Sequence, residues 1–305
     1  MRLARVIGAI GRTCITAGVL ILLFVAYQLW GTGIRESQAQ ARLEDDFEEI
    51  LADARDPAPT TTSTTAPGDG ATTTSVPETV EPIEPVPEGE PTARIVIPAI
   101  GVDKIVVEGV SLADLKKGPG HFPETPLPGQ AGNAAIAGHR TTYGAPFHRL
   151  DELEPGDEIT VETVQGEFRY LVSEQQIVSP SDVHVLEDKG DDRLTLIACH
   201  PKYSARQRIV VVAHLAPEIE ALPRPPRAVD DPVPTPTAFE DLDGEGASTV
   251  PTVLLGLLCA AIWFAAWLLG RAWRRWPAYA LGLPFFLVAL FYFFEEFSRF
   301  LPSSF

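Results

Sequence analysis

Sulfur is scarce in this chain, which has three cysteines and one methionine in 305 residues. Three thiols leave one unmatched in any disulfide framework and fall short of a four-cysteine zinc site. Positive charge is short as well. The 24 Lys and Arg stand against 41 Asp and Glu, a net charge of −17, which sets aside a basic nucleic-acid binder. Proline is the residue in excess, with 28 positions, about twice the usual share of roughly 5 %. These residues are spread unevenly, and the unevenness divides the chain.

Residues 13–30 (TCITAGVLILLFVAYQLW) carry no charge and follow Arg2, Arg5 and Arg12. Eighteen apolar residues suffice to span a bilayer. A cleaved secretory signal ending near Ala39-Gln40-Ala41 is the competing reading, but that site is late and the apolar run long for a signal, so a retained anchor is expected. Two further apolar runs, 250–270 and 277–294, flank a six-residue segment, 271–276, that holds three Arg and two Trp. Such a loop suits a cytoplasmic turn with interfacial aromatics. With residues 1–12 also inside, the positive-inside rule gives one topology in which residues 31–249 lie outside the cell and 295–305 form a short tail.

Two stretches read as tethers. Residues 31–91 are acidic and Thr/Pro-rich, with thirteen acids against Arg55 alone between Leu43 and Pro91; residues 216–249 are a second Pro/acid-rich linker. Neither offers enough apolar surface to fold, so both are expected to be extended and disordered. Between them lies one domain of ordinary size, residues 92–215. Its sequence is dominated by short β-branched runs at 94–100, 104–110, 133–137, 158–164, 167–173, 193–199 and 208–215, separated by turn residues such as Gly101, Pro155-Gly156 and Gly166. Short helices are expected at 111–117, where Ser111 and Asp114 form a capping box, and at 145–153. The last two strands are apolar on both faces, as in a closed or covered sheet. The expected fold is mainly β: a small closed β-barrel with short helices, flanked by transmembrane α-helices.

Cys14 and Cys259 fall within expected spans, leaving Cys199 as the one cysteine on the aqueous side. It is either an inert core thiol or a reactive one. Cys199 closes the strand RLTLIAC, and His200-Pro201 breaks that strand directly after it. All six His lie in the same domain, and a thiol becomes a nucleophile beside a base or cation that favours the thiolate. His139 ends the run NAAIAGHR much as Cys199 ends its own strand. His121 is a candidate substrate-loop residue, whereas His148 and His200 read as solvated loop residues. Arg208 opens the strand nine residues after Cys199 and could hold a developing oxyanion; Arg206, on the same strand face, is its rival.

The pair of motifs NAAIAGHR and TLIACHPKYSARQRIVV resembles the sortase family of Gram-positive cell-surface cysteine transpeptidases, and the CHP and SARQR variant is most similar to the class E sortases of actinobacteria. The similarity covers about residues 92–215. It implies an eight-stranded β-barrel whose catalytic residues, carried over by position, are His139, Cys199 and Arg208. It also implies cleavage of a Thr–Gly bond in an LPxTG- or LAxTG-like sorting signal, and transfer to a peptidoglycan-precursor amine. No metal or organic cofactor is implied. The expected partners are sorting-signal proteins, that amine and membrane lipid, with no nucleic acid. Two departures stand out: Ala198 occupies the position where the family usually has Thr, and a C-terminal membrane hairpin is more familiar in the pilin-polymerising class. Other wall-active thiol enzymes fit poorly, since an L,D-transpeptidase would carry His where Ile197 stands and papain-like enzymes place Cys before His. A non-catalytic, membrane-anchored barrel is the remaining alternative.

Overall fold

The computed structural model describes residues 2–55, 86–224, 249–272 and 275–298. Strands β1 (Pro91–Ile97), β2 (Val102–Glu108), β3 (Gly120–His121), β4 (Asn133–Ala137), β5 (Glu158–Thr163), β6 (Gly166–Val178), β7 (Arg193–His200) and β8 (Gln207–Leu215) close into a barrel in the order β1-β2-β3-β4-β7-β8-β6-β5. Most neighbours are antiparallel, but β2–β3 and β4–β7 pair in parallel. The seven β-branched runs all become strands. The two-residue β3 and the extension of β6 to Val178 had no signal of that kind, because β3 is too short to show a period.

Alternation along each strand sends one set of side chains inward. Ile95, Ile97, Ile136, Ile159, Val161, Tyr170, Leu194, Leu196, Ile209 and Val211 fill the barrel. The other face of β4, β7 and β8 is not left to water: Ala135, Ala137, Ile197, Val210 and Val212 pack under Leu115, Phe122, Val185 and Leu186. This second layer is why the last two strands are apolar on both faces. It also means that the row containing Ile197 and Cys199 looks out of the barrel into a covered layer.

Helix α3 (Leu112–Leu115) is capped as expected, with the Asp114 amide donating to Ser111 Oγ and the Ser111 hydroxyl to the Asp114 carboxylate. The helix expected at 145–153 is corrected to a single 3-10 turn, Leu150–Glu152. Tyr143 and Ala145 have φ of 50° and 44°, and Pro146 follows, so the chain turns where a helix would have to start.

The largest correction concerns the first tether. Helix α1 (Arg2–Ala26) passes through a π-helical turn (Tyr27–Gly31) into α2 (Thr32–Arg55), so residues 32–55 are helical and not extended. Leu43, Phe47 and Leu51, one helical face at i, i+4, i+8, pack on Ile105 and Val107 of β2. Gln40 grips the same strand by its side-chain amide, accepting from Ile105 N at 2.8 Å and donating to Ile105 O at 2.9 Å. Residues 56–85 lie outside the described residues. The exit linker is likewise corrected at its start, because Ile219 and Leu222 pack against the barrel core and Leu222 bridges Gln130; residues 225–248 lie outside the described residues.

Among the described residues, three helical segments are long and apolar enough to cross a membrane: one within the continuous helix Ile10–Arg55, then α4 (Thr249–Ala272) and α5 (Arg275–Ser298). Phe24 and Tyr27 meet Phe294 and Phe291 edge-on, each pair with ring centroids 5.1 Å apart. Just beyond, Arg35 pairs with Glu295 at 2.6 Å and lies over the Phe291 and Tyr292 rings. Phe47→Ala should cost about 3 kcal/mol at the α2–barrel contact. Hydrogen exchange on the full chain should then show protection lost in α2 while β7 and β8 keep theirs.

Candidate active site

Strand register sets the geometry of the site. In the parallel pair, Asn133 faces Arg193 and Ala137 faces Ile197, a constant offset of 60 positions. The Gly138 amide donates to Ile197 O at 3.0 Å, carrying the alignment past the end of β4 so that His139 comes level with Cys199. On the other side, Cys199 is the direct cross-strand partner of Arg208. A thiol, an imidazole and a guanidinium from β7, the end of β4 and the start of β8 thus form one row. All three line a single cavity, together with Leu112, Leu115, Ala137, Gly138, Ile197 and Ala198.

Local sequence explains how the row is built. Glycine at 138 is required, because a Cβ there would come within 2.6 Å of the Phe147 ring. Phe147 is fully buried and holds the loop after β4 against the barrel. Arg208 is 3 % exposed, and its Nη1 donates to Ala205 O at 2.9 Å and Gln207 O at 3.2 Å, which fixes the guanidinium at the cavity wall. Arg206 is exposed and outside the cavity lining. Ala198 points into the barrel core, away from Cys199, so the hydroxyl lost there would have faced an apolar interior.

His139 is 8 % exposed, its ring lies 5.0 Å from that of Tyr143, and its Nε2 has no hydrogen-bond partner among the described residues. Burial, aided by the nearby Lys116 cation, pushes its pKa from 6.5 down to about 4. The imidazole is therefore neutral at neutral pH, with an unoccupied nitrogen available to accept a proton.

Sequence reasoning missed Arg140. This residue is 3 % exposed; its Nη1 donates to Cys199 O at 3.2 Å and meets His200 Nδ1 at 3.0 Å, while Nη2 pairs with Asp151 at 2.8 Å. One guanidinium thus ties the loop after His139 to the strand end bearing Cys199. The only hint in the sequence is its adjacency to His139. The histidine expectations need correcting. His200 is the acceptor facing Arg140, and His148 meets Arg140 O at 2.8 Å through Nδ1, so neither is simply solvated. His121 is buried in β3, bonded to Glu108 at 2.9 Å and to Pro126 O, and does not form part of an open substrate loop. Among the described residues no three His, Cys, Asp or Glu side chains are grouped to hold a metal ion.

A closed barrel that aligns a thiol, an imidazole and a guanidinium across three strand ends defines a cysteine-centred β-barrel class. Residues 95–216 match the family described as the sortase domain, and this part of the chain belongs to the sortase family. Members of that family are cysteine transpeptidases. The chain is 35 % identical to sortase SrtE1 of Streptomyces coelicolor over 69 % of its own length and 57 % of that protein. It is 32 % identical to sortase D of Bacillus subtilis over 37 % of its own length and 56 % of that protein. It therefore spans a little over half the length of these curated relatives. A solved sortase E from Streptomyces avermitilis is 36 % identical, covered over 43 % of this chain and 90 % of that one, with a TM-score of 0.39.

The depressed His139 pKa has a stability consequence. Between about pH 6.5 and 4 the unfolded chain takes up the proton and the folded chain does not, so stability falls as pH falls through that window. Thermal denaturation from pH 7 to 4 should show a loss of the order of 3 kcal/mol from this residue, and His139→Gln should flatten that part of the profile.

Proposed function

We propose that this protein is a membrane-anchored sortase that cleaves a Thr–Gly bond in an LPxTG- or LAxTG-like sorting signal and transfers the released protein to a cell-wall precursor amine. The single observation supporting this is the His139, Cys199, Arg208 row lining one cavity. The neutral His139 imidazole takes the Cys199 thiol proton as the sulfur attacks the scissile carbonyl. Arg208 donates to the oxyanion of the tetrahedral intermediate. Collapse breaks the C–N bond, His139 passes the same proton to the departing glycine amine, and a thioester remains on Cys199. An incoming amine attacks the thioester as His139 takes its proton, the C–S bond breaks, and His139 returns that proton to the sulfur, regenerating the thiol and the neutral imidazole. The proton balance needs no charged imidazole at rest, in keeping with the pKa near 4.

Three membrane spans with the barrel outside the cell complete the proposal. The run 13–30 is the first span and α4 and α5 are the others, so the catalytic domain stays with substrates held at the membrane. A second reading, polymerisation of pilins with a lysine amine as acceptor, draws on the C-terminal helical pair.

The full chain in detergent, incubated with a panel of sorting peptides and either a glycine or a lysine amine, should show an acyl adduct on Cys199 by mass spectrometry. Cys199→Ala should abolish the adduct and lower transfer at least about a thousandfold, and Arg208→Lys should lower transfer by about a hundredfold with peptide binding retained. No adduct with any peptide would overturn the proposal, and transfer to lysine alone would select the second reading.

A further inference from the structure

The polypeptide leaves the first apolar run at Trp30, and helix α2 begins two residues later. Thr32 is buried there, its hydroxyl accepting from the Tyr143 amide at 3.1 Å. One turn on, Glu36 pairs with Lys104 at 2.5 Å, and the same carboxylate lies so close to Gly144 that a Cβ would collide with it. Tyr143 and Gly144 belong to the loop that follows His139, and the Tyr143 ring packs on the His139 ring. The imidazole is thus two contacts from Thr32, which lies about 3 Å of helix rise past Trp30.

A second observation fixes the same level independently. Arg35, one turn above Thr32, pairs with Glu295 near the end of α5, and this charged pair marks where the apolar stretches of both helices stop. The helix then continues without interruption to Arg55, about 30 Å further along its axis, where Arg55 pairs with Glu162 of β5. The barrel hangs alongside this rod, and its cavity end is level with the bottom. The turn between β7 and β8, beside Cys199 and Arg208, carries Lys202 next to Asp151, an exposed Tyr203 and an exposed Arg206. An aromatic with two cations on one tip suits an anionic headgroup layer.

We infer that the cavity end of the barrel rests on the lipid headgroup layer, with α2 as a rigid strut that holds the site at the membrane surface. This inference rests on the proposed membrane span at 13–30, not on the proposed chemistry. A sorting signal whose own apolar segment is in the bilayer, or an amine acceptor carried on a lipid, would meet the row at its own height.

The test uses the full chain with Cys14→Ser, Cys199→Ala and Cys259→Ser, reconstituted in vesicles of phosphatidylcholine and phosphatidylglycerol doped with a headgroup nitroxide lipid. A fluorophore is attached at Tyr203→Cys or at Glu167→Cys, the latter being the cross-strand partner of Glu162. Quenching should be several-fold stronger at 203 than at 167, and the pair Arg206→Cys and Val164→Cys should give the same order. Equal quenching at both ends, or stronger quenching at 167 and 164, would overturn the inference. The readout involves no catalysis and the nucleophile is absent, so this result stands apart from the fate of the transpeptidase proposal.

Discussion

Strand pairing in a sheet is discrete: a slip of one residue turns every side chain to the opposite face. In this barrel, β4 and β7 are held 60 positions apart and β7 and β8 pair Cys199 with Arg208, so the convergence of His139, Cys199 and Arg208 follows from register. A one-residue slip of β7 would turn the Cys199 side chain into the barrel core and the Ala198 side chain out of it. Apolarity alone would not prevent this, since both faces of β7 are apolar. Specific polar contacts add to the pinning. Thr195 donates to Asn133 Oδ1 at 2.7 Å, and Asn133 Nδ2 in turn donates to Val185 O and Glu187 O.

Burial gives the row its chemical character. A histidine beneath a covered layer, beside Lys116, stays neutral and adds no positive charge to the row, whereas guanidinium groups do not lose their proton on burial. Arg208 lies in the cavity wall. Arg140, outside the cavity lining, links the Cys199 carbonyl, His200 and Asp151. The two arginines differ in reach: one faces the cavity, and the other holds together the two strand ends that form it.

How far the sequence foretold this depended on the length scale of each signal. Strands of five or more residues announced themselves through β-branched runs, and Cys199 stood out because a proline broke its strand and no other aqueous cysteine competed. The row of three was reached by strand-end placement and family resemblance, and the arginine choice stayed open until burial separated Arg208 from Arg206. Helix α2 was missed because its acids outweighed a correct signal: Leu43, Phe47 and Leu51 have helical spacing, but EDDFEE in their midst read as a solvated tether. Arg140 had no periodic or motif signal. Its importance comes from contacts with residues about 60 positions away, which a single sequence does not display.

The central claim is that register gives Cys199 an electrostatic environment set by Arg208 and His139. The most direct measurement is the rate of Cys199 alkylation in the full chain from pH 5 to 9, read by site-resolved mass spectrometry for wild type, Arg208→Gln and His139→Gln. The account predicts that Arg208→Gln moves the rise in rate upward by about one pH unit, and that His139→Gln slows alkylation near neutrality. Three superimposable profiles would contradict it.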